Sequence, residues 1–112
     1  MDHEQATQLL ADERARIEEG FANLGATPPL EGDQSVEPGD RDDEEMYLDE
    51  LAEARREQLT QELAALERAE ARLAAGTYGL SVESGEPIPD ARLEALPLAE
   101  RTVEEDERYR RS

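Results

Sequence analysis

The stretch ALERAEARLAAGTYGLSVESGEPIPDARLEALP, residues 65–97, changes character in its middle. Up to Ala75 it is made of Ala, Leu, Glu and Arg, the residues that lose least on entering a helix. Gly76 then stands where a helix would be capped at its C-terminus. GTYGLSVESGEPIP, residues 76–89, has the alternation and turn residues of a short knuckle. PDARLEALP follows, a short helical turn with Asp90 as its expected cap and Pro97 just past its end. The order of textures predicts a long helix, a tight knuckle and a small helical tail.

Working back toward the N-terminus, residues 43–75 read as the whole of that long helix. Acids at its start suit the positive end of the helix dipole. Leu48, Leu51, Ala52, Leu59, Leu63, Leu66, Ala69 and Leu73 draw an apolar stripe down one face. An earlier helix is expected over 3–24. His3, Thr7, Leu10, Arg14, Ile17, Phe21 and Leu24 recur there at alternating steps of four and three. Gly25 and Pro28-Pro29 stop it. Residues 25–42, with three prolines and three glycines, read as a linker. At ~50 Å the long helix exceeds what the first can cover, so the economical arrangement is an antiparallel hairpin that pairs 3–24 with the first two-thirds of 43–75 and leaves the last third to the tail.

Working forward, residues 102–111 (TVEEDERYRR) form a last helix. Thr102 and Glu105 have the S/T-x-x-E spacing of a capping box, in which hydroxyl and carboxylate each satisfy the other residue's amide. Tyr78, Leu80, Val82, Ile88, Leu93, Leu96, Leu98 and Val103 are expected to cluster against Leu66 and Leu73. The fold class is therefore mainly α: a helical hairpin over 1–75 with a tip loop at about 25–42, then a knuckle and C-terminal helix over 76–112.

Composition restricts function. The 112 residues carry 30 acids against 12 arginines and no lysine, a net charge of −18. Half of that excess, −9, falls in residues 31–50. Phosphate repulsion opposes direct nucleic-acid binding, so a basic protein surface is the expected partner. There is no cysteine, which excludes disulfides and thiolate metal sites. No apolar run approaches the ~18 residues of a membrane span, and no signal-peptide pattern opens the chain. A cytoplasmic monomer without cofactor is expected. The sole histidine, His3, is remote from Ser81 and Ser84, which leaves those serines without a base for nucleophilic chemistry. Asp40-x-Asp42-x-Glu44 brushes a calcium-loop pattern, but Glu45 stands at the required glycine and Leu51 at the terminal glutamate. Nothing argues for an enzyme.

The words GTYG at 76–79, Gly85-Glu86-Pro87-Ile88-Pro89 and Arg92-Leu93-Glu94-Ala95-Leu96-Pro97, in this order after a helix ending ALERAEARLAAG, resemble the DksA/TraR family of bacterial transcription regulators. The likeness covers about residues 48–110. It implies a finger in which two C-x-x-C pairs hold zinc, and those four positions fall here on Ser81, Ser84, Thr102 and Glu105. Neutral hydroxyls are poor zinc ligands, so a zinc-independent variant is expected, with no metal. The resemblance also implies binding to RNA polymerase, with the acidic hairpin tip entering its secondary channel. The family's D-x-x-D-x-A tip word corresponds to Glu37-Pro38-Gly39-Asp40-Arg41-Asp42, followed by Asp43. Glu37 is a like-charge replacement, Asp40 matches, and Asp42 replaces the alanine. Glu37, Asp40, Asp42 and Asp43 are the implied partner-binding group. The alternative is an acidic adaptor that mimics nucleic acid toward another basic protein.

Overall fold

A computed structural model describes residues 1–25 and 38–111, with the backbone alone at 25 and 38–42. Its order is α1 (His3–Gly25), α2 (Pro38–Ala75), α3 (Asp90–Ala95) and α4 (Val103–Arg111). Helices α1 and α2 run antiparallel: Arg14 meets Glu70, Arg16 meets Glu62, and Gly20 lies against Leu59. At 1.5 Å per residue α2 is about 57 Å long, some 20 Å longer than α1. Contrary to expectation α1 covers the later part of α2 and not the first two-thirds of 43–75, because the leucines that bury fully against it are Leu59 and Leu66.

The seam of the hairpin is Leu10 and Ile17 from α1 with Leu59, Leu66 and Ala69 from α2. Phe21, Leu24, Leu63 and Leu73 close its edges, and Tyr78 and Leu98 bring the tail onto it. Leu10, Ile17 and Leu24 keep the expected heptad step. The stripe's first members do not: His3 and Thr7 are exposed, and Ala6 is buried instead. Thr7 spends its hydroxyl on the His3 carbonyl, 2.7 Å away, so the turn is satisfied locally and the small Ala6 faces the seam. Arg14, a polar member of the stripe, reaches across the hairpin. Its Nε and Nη2 donate to the two Glu70 oxygens at 3.1 and 2.6 Å. This paired geometry fixes the register of the two helices.

Helix α2 starts five residues before the expected Asp43, which corrects the tip loop of 25–42: residues 38–42 are helical. Pro38 is its first residue. A proline there lacks only an N–H that has no helical acceptor, and its fixed φ is already helical. The other end follows the expectation. Gly76 has φ +80°, its N–H donates to Leu73 O at 3.2 Å, and the Thr77 N–H donates to Arg72 O at 2.8 Å. These are the two bonds of a Schellman cap, whose left-handed residue suits glycine.

Helix α3 differs from expectation at its start. Pro89 is the N-cap residue, without a side-chain cap bond, and Asp90 is already helical. The Asp90 carboxylate instead accepts from the Met1 ammonium at 3.0 Å. The tail's apolar cluster is also smaller than expected. Ile88 and Leu93 are buried and Tyr78 and Leu98 pack on the hairpin, but Leu80, Val82, Leu96 and Val103 are exposed. The knuckle is extended where Leu80 bridges to Pro87, so neighbouring side chains point to opposite sides. Ser81 takes the inner side, which turns Leu80 and Val82 outward.

Candidate functional site: an acidic hairpin end and a cysteine-free finger centre

Two places were singled out by sequence, and they lie at opposite ends of α2. Of the tip group, Glu37 lies outside the described residues. Asp40 and Asp42 belong to the first turns of α2, and Asp43 is exposed on it. With Asp40 and Asp43 three residues apart on a helix, their positions share one face.

At the other end the four finger positions converge. The 81–86 turn closes through Ser81 N–H to Glu86 O at 2.8 Å and Gly85 N–H to Ser81 O at 3.0 Å. Gly85 has φ +75°, a conformation that a side chain would strain. Inside the turn, Ser81 Oγ accepts from the amides of Glu83 at 3.1 Å and Ser84 at 3.3 Å. From the facing side comes the capping box at the start of α4. The Thr102 N–H donates to Glu105 Oε1 at 2.9 Å, and the Glu105 N–H donates to Thr102 Oγ1 at 3.3 Å. Ser81 and Glu105 are only 5% and 6% exposed.

Glu105 is the charged centre of this arrangement. The Thr102 backbone N–H, then the hydroxyls of Ser81 and Ser84, hold its carboxyl down to about 2 from an ordinary 4.5. Each bond favours the ionised form, which outweighs the opposing effect of burial. One carboxylate therefore gathers both halves of the finger where the family pattern would place a metal.

The residues do not fit zinc. Three of the four positions are neutral hydroxyls, and the oxygens of all four are engaged in hydrogen bonds within the finger. Among the described residues no group of three or more histidine or carboxylate side chains stands ready to hold a metal ion. A tetrahedral zinc site built on thiolate and imidazole has no counterpart here.

A second clasp escaped the sequence reading. Glu100 accepts from Arg68 Nε at 3.1 Å and Nη2 at 3.2 Å, and from Arg72 Nη1 at 3.1 Å. The Arg68 hydrogen bond, aided by the charges of Arg68, Arg72 and Arg101, lowers the Glu100 pKa. The Glu100 carbonyl also accepts from the Val82 N–H at 2.9 Å, so this residue links α2 to the knuckle. Beside it, the Tyr78 hydroxyl donates to Pro97 O at 2.8 Å, and burial pushes the phenol's pKa up. On the outer side, Arg101 stacks 3.9 Å from the Tyr109 ring centroid and pairs with Glu83 at 3.2 Å. The finger is thereby tied to the hairpin by charge-assisted bonds as well as by the packing of Tyr78 and Leu98.

Among the described residues no helix is long and apolar enough to cross a membrane. No family model matches the chain. The chain is 37% identical over 93 residues to the RNA polymerase-binding transcription factor DksA of Caulobacter vibrioides, covering 83% of this chain and 55% of that protein. It is 32% identical over 96 residues to an uncharacterised protein of Aquifex aeolicus, covering 84% and 66%. The chain thus spans between about half and two thirds of the curated relatives it matches. Among solved structures it is similar to transcription factor DksA2 from Pseudomonas aeruginosa, with a TM-score of 0.55 and 29% identity, covering 97% of this chain and 80% of that one. By sequence and by fold the chain belongs to a DksA-like family, in a form that carries no cysteine.

Proposed function

We propose that this chain is an RNA polymerase-binding transcription regulator whose acidic hairpin end enters the polymerase's secondary channel, and whose finger folds without zinc. The observation that carries the reading is a DksA-like frame whose longer helix runs past its partner into a carboxylate-dense end. Glu37, Asp40, Asp42 and Asp43 form the contact group in this reading. The channel entrance offers the basic surface that a chain of net charge −18 seeks, and no step of bond chemistry is assigned to the protein. In the finger, Ser81, Ser84, Thr102 and Glu105 do the organising that zinc would do, through the hydrogen bonds described above.

Capture of core polymerase by the immobilised, folded protein tests the partner. Capture is expected at low salt and weakens as salt rises, because the attraction between acidic end and basic channel is screened. No recovery of polymerase at low salt would overturn the reading. Asp40→Asn with Asp42→Asn then separates tip action from general acidity. The pair is expected to abolish the transcriptional effect and leave capture largely intact. An acidic adaptor that mimics nucleic acid would instead tolerate the double change and respond to total charge.

A further inference from the structure

Helix α1 ends before α2 does, and the part of α2 beyond it is apolar on one face. With Gly20 against Leu59 in an antiparallel pair, Leu24 falls near residue 55, so residues 43–52 lie past the end of α1. At 100° per residue, Tyr47, Leu48, Leu51 and Ala52 share a face there, continuing the line of the buried Leu59 and Leu66. Tyr47 is 61% exposed, Leu48 41% and Leu51 49%. The carboxylates are placed around this strip. Asp43 and Glu50 flank it on the Tyr47 side, Glu45 and Asp49 on the Leu48 side, and Glu44 heads it. All five are exposed, and none is in an ion pair with a described residue.

We propose that this strip of α2 docks a positively charged amphipathic helix of a partner protein, whose apolar ridge meets Tyr47, Leu48 and Leu51 while its Lys and Arg flanks meet the surrounding carboxylates. Charge selects the occupant. A second copy of this chain would set like carboxylates face to face, which costs association. A basic flank on each side of an apolar ridge instead complements both rims at once. An amphipathic helix laid in an apolar groove is a recurrent form of recognition, and aromatic anchors with a charged rim suit it. The inference goes beyond the polymerase reading, because it concerns the apolar side of the shaft, which shares only Asp43 with the tip group, and it is tested without polymerase.

The probe is a synthetic helical peptide with leucines along one face and Lys and Arg beside them. Two control peptides replace its leucines by serine or its cations by glutamate. Binding is read by fluorescence anisotropy, and the site by amide chemical shifts of the full chain. The leucine-bearing basic peptide is expected to bind at least about tenfold more tightly than either control, since each buried large side chain is worth about that factor. Its shifts should centre on residues 43–55. Tyr47→Ser with Leu51→Ser should lose about tenfold or more in affinity while keeping the parent's helicity and melting, because Tyr47 is 61% and Leu51 49% exposed. Equal binding by the serine peptide, an unaffected double variant, or shifts centred elsewhere would overturn the proposal. So would finding the strip already covered in the free protein, by its own chain or by a second copy. None of these failures bears on the capture of polymerase.

Discussion

Replacing Thr102 by alanine removes one hydroxyl from the start of α4 and tests how the finger is held. The Thr102 Oγ1 accepts from the Glu105 N–H at 3.3 Å, longer than the usual 2.9–3.0 Å, so the bond alone is weak. Its loss matters more because Glu105 is buried, and an amide left without an acceptor there costs more than the bond contributed. Alanine at an N-cap ordinarily costs about 1 kcal/mol, and the burial places Thr102→Ala at about 1–1.5 kcal/mol. For a chain of this size that is a fall in Tm of about 4–6 °C. Thr102→Ser keeps the acceptor and should recover at least half of the loss. Thermal unfolding followed by circular dichroism gives the stability, and hydrogen exchange at the Glu105 amide gives the place. An alanine variant as stable as the parent, or a serine variant as damaged as the alanine one, would refute the capping account.

Acid should loosen the finger in a defined window. Glu105 has a folded pKa of about 2 against an ordinary 4.5, so its stabilisation is complete above about 4.5 and is lost as pH falls toward 2. Glu100, also lowered by its arginines, acts in the same direction. The α4 amides should therefore lose protection between pH 4.5 and 2, and Glu105→Gln should be less stable at neutral pH and flatter through that window. A different substitution probes the hairpin. Gly20→Ala improves helix propensity by about 1 kcal/mol, yet its Cβ would stand 2.8 Å from Leu59 Cδ2 and 3.2 Å from Cδ1. Leu59 is fully buried, and overpacking at about 1–3 kcal/mol should win, giving a net loss of about 1 kcal/mol in urea unfolding. A gain in stability would show that the helices do not approach so closely there.

What the sequence revealed was local. The capping box needs only Thr102 and Glu105 three apart, and the Gly76 cap needs only a glycine after a helical run, so both were legible. The seam was legible from Leu10 onward because large apolar residues mark it. It was misplaced at His3 and Thr7, where a heptad count carried on over residues whose polarity argued against burial. Asp90 matched the composition of an N-cap, but a long-range contact with Met1 claims its carboxylate, and Pro89 holds the cap position. Glu100 was invisible for the same reason, since its arginines lie 28 and 32 residues away. The convergence of Ser81, Ser84, Thr102 and Glu105 was legible only through resemblance to a metal finger. That Glu105 would gather the others as hydrogen-bond donors followed from none of the local patterns. Pro38 is one of the three prolines that mark 25–42 as a linker, yet a proline fits the first turn of a helix equally well, and α2 begins there.

The central claim is that a carboxylate and its hydrogen bonds organise this finger in place of zinc. Its most direct test is thermal unfolding of protein produced in zinc-supplemented medium, before and after exhaustive chelation, with the zinc content of each sample measured. Coincident unfolding curves and far less than one zinc per chain are predicted. Zinc near one per chain, with melting and α4 helicity lost on chelation, would contradict the account.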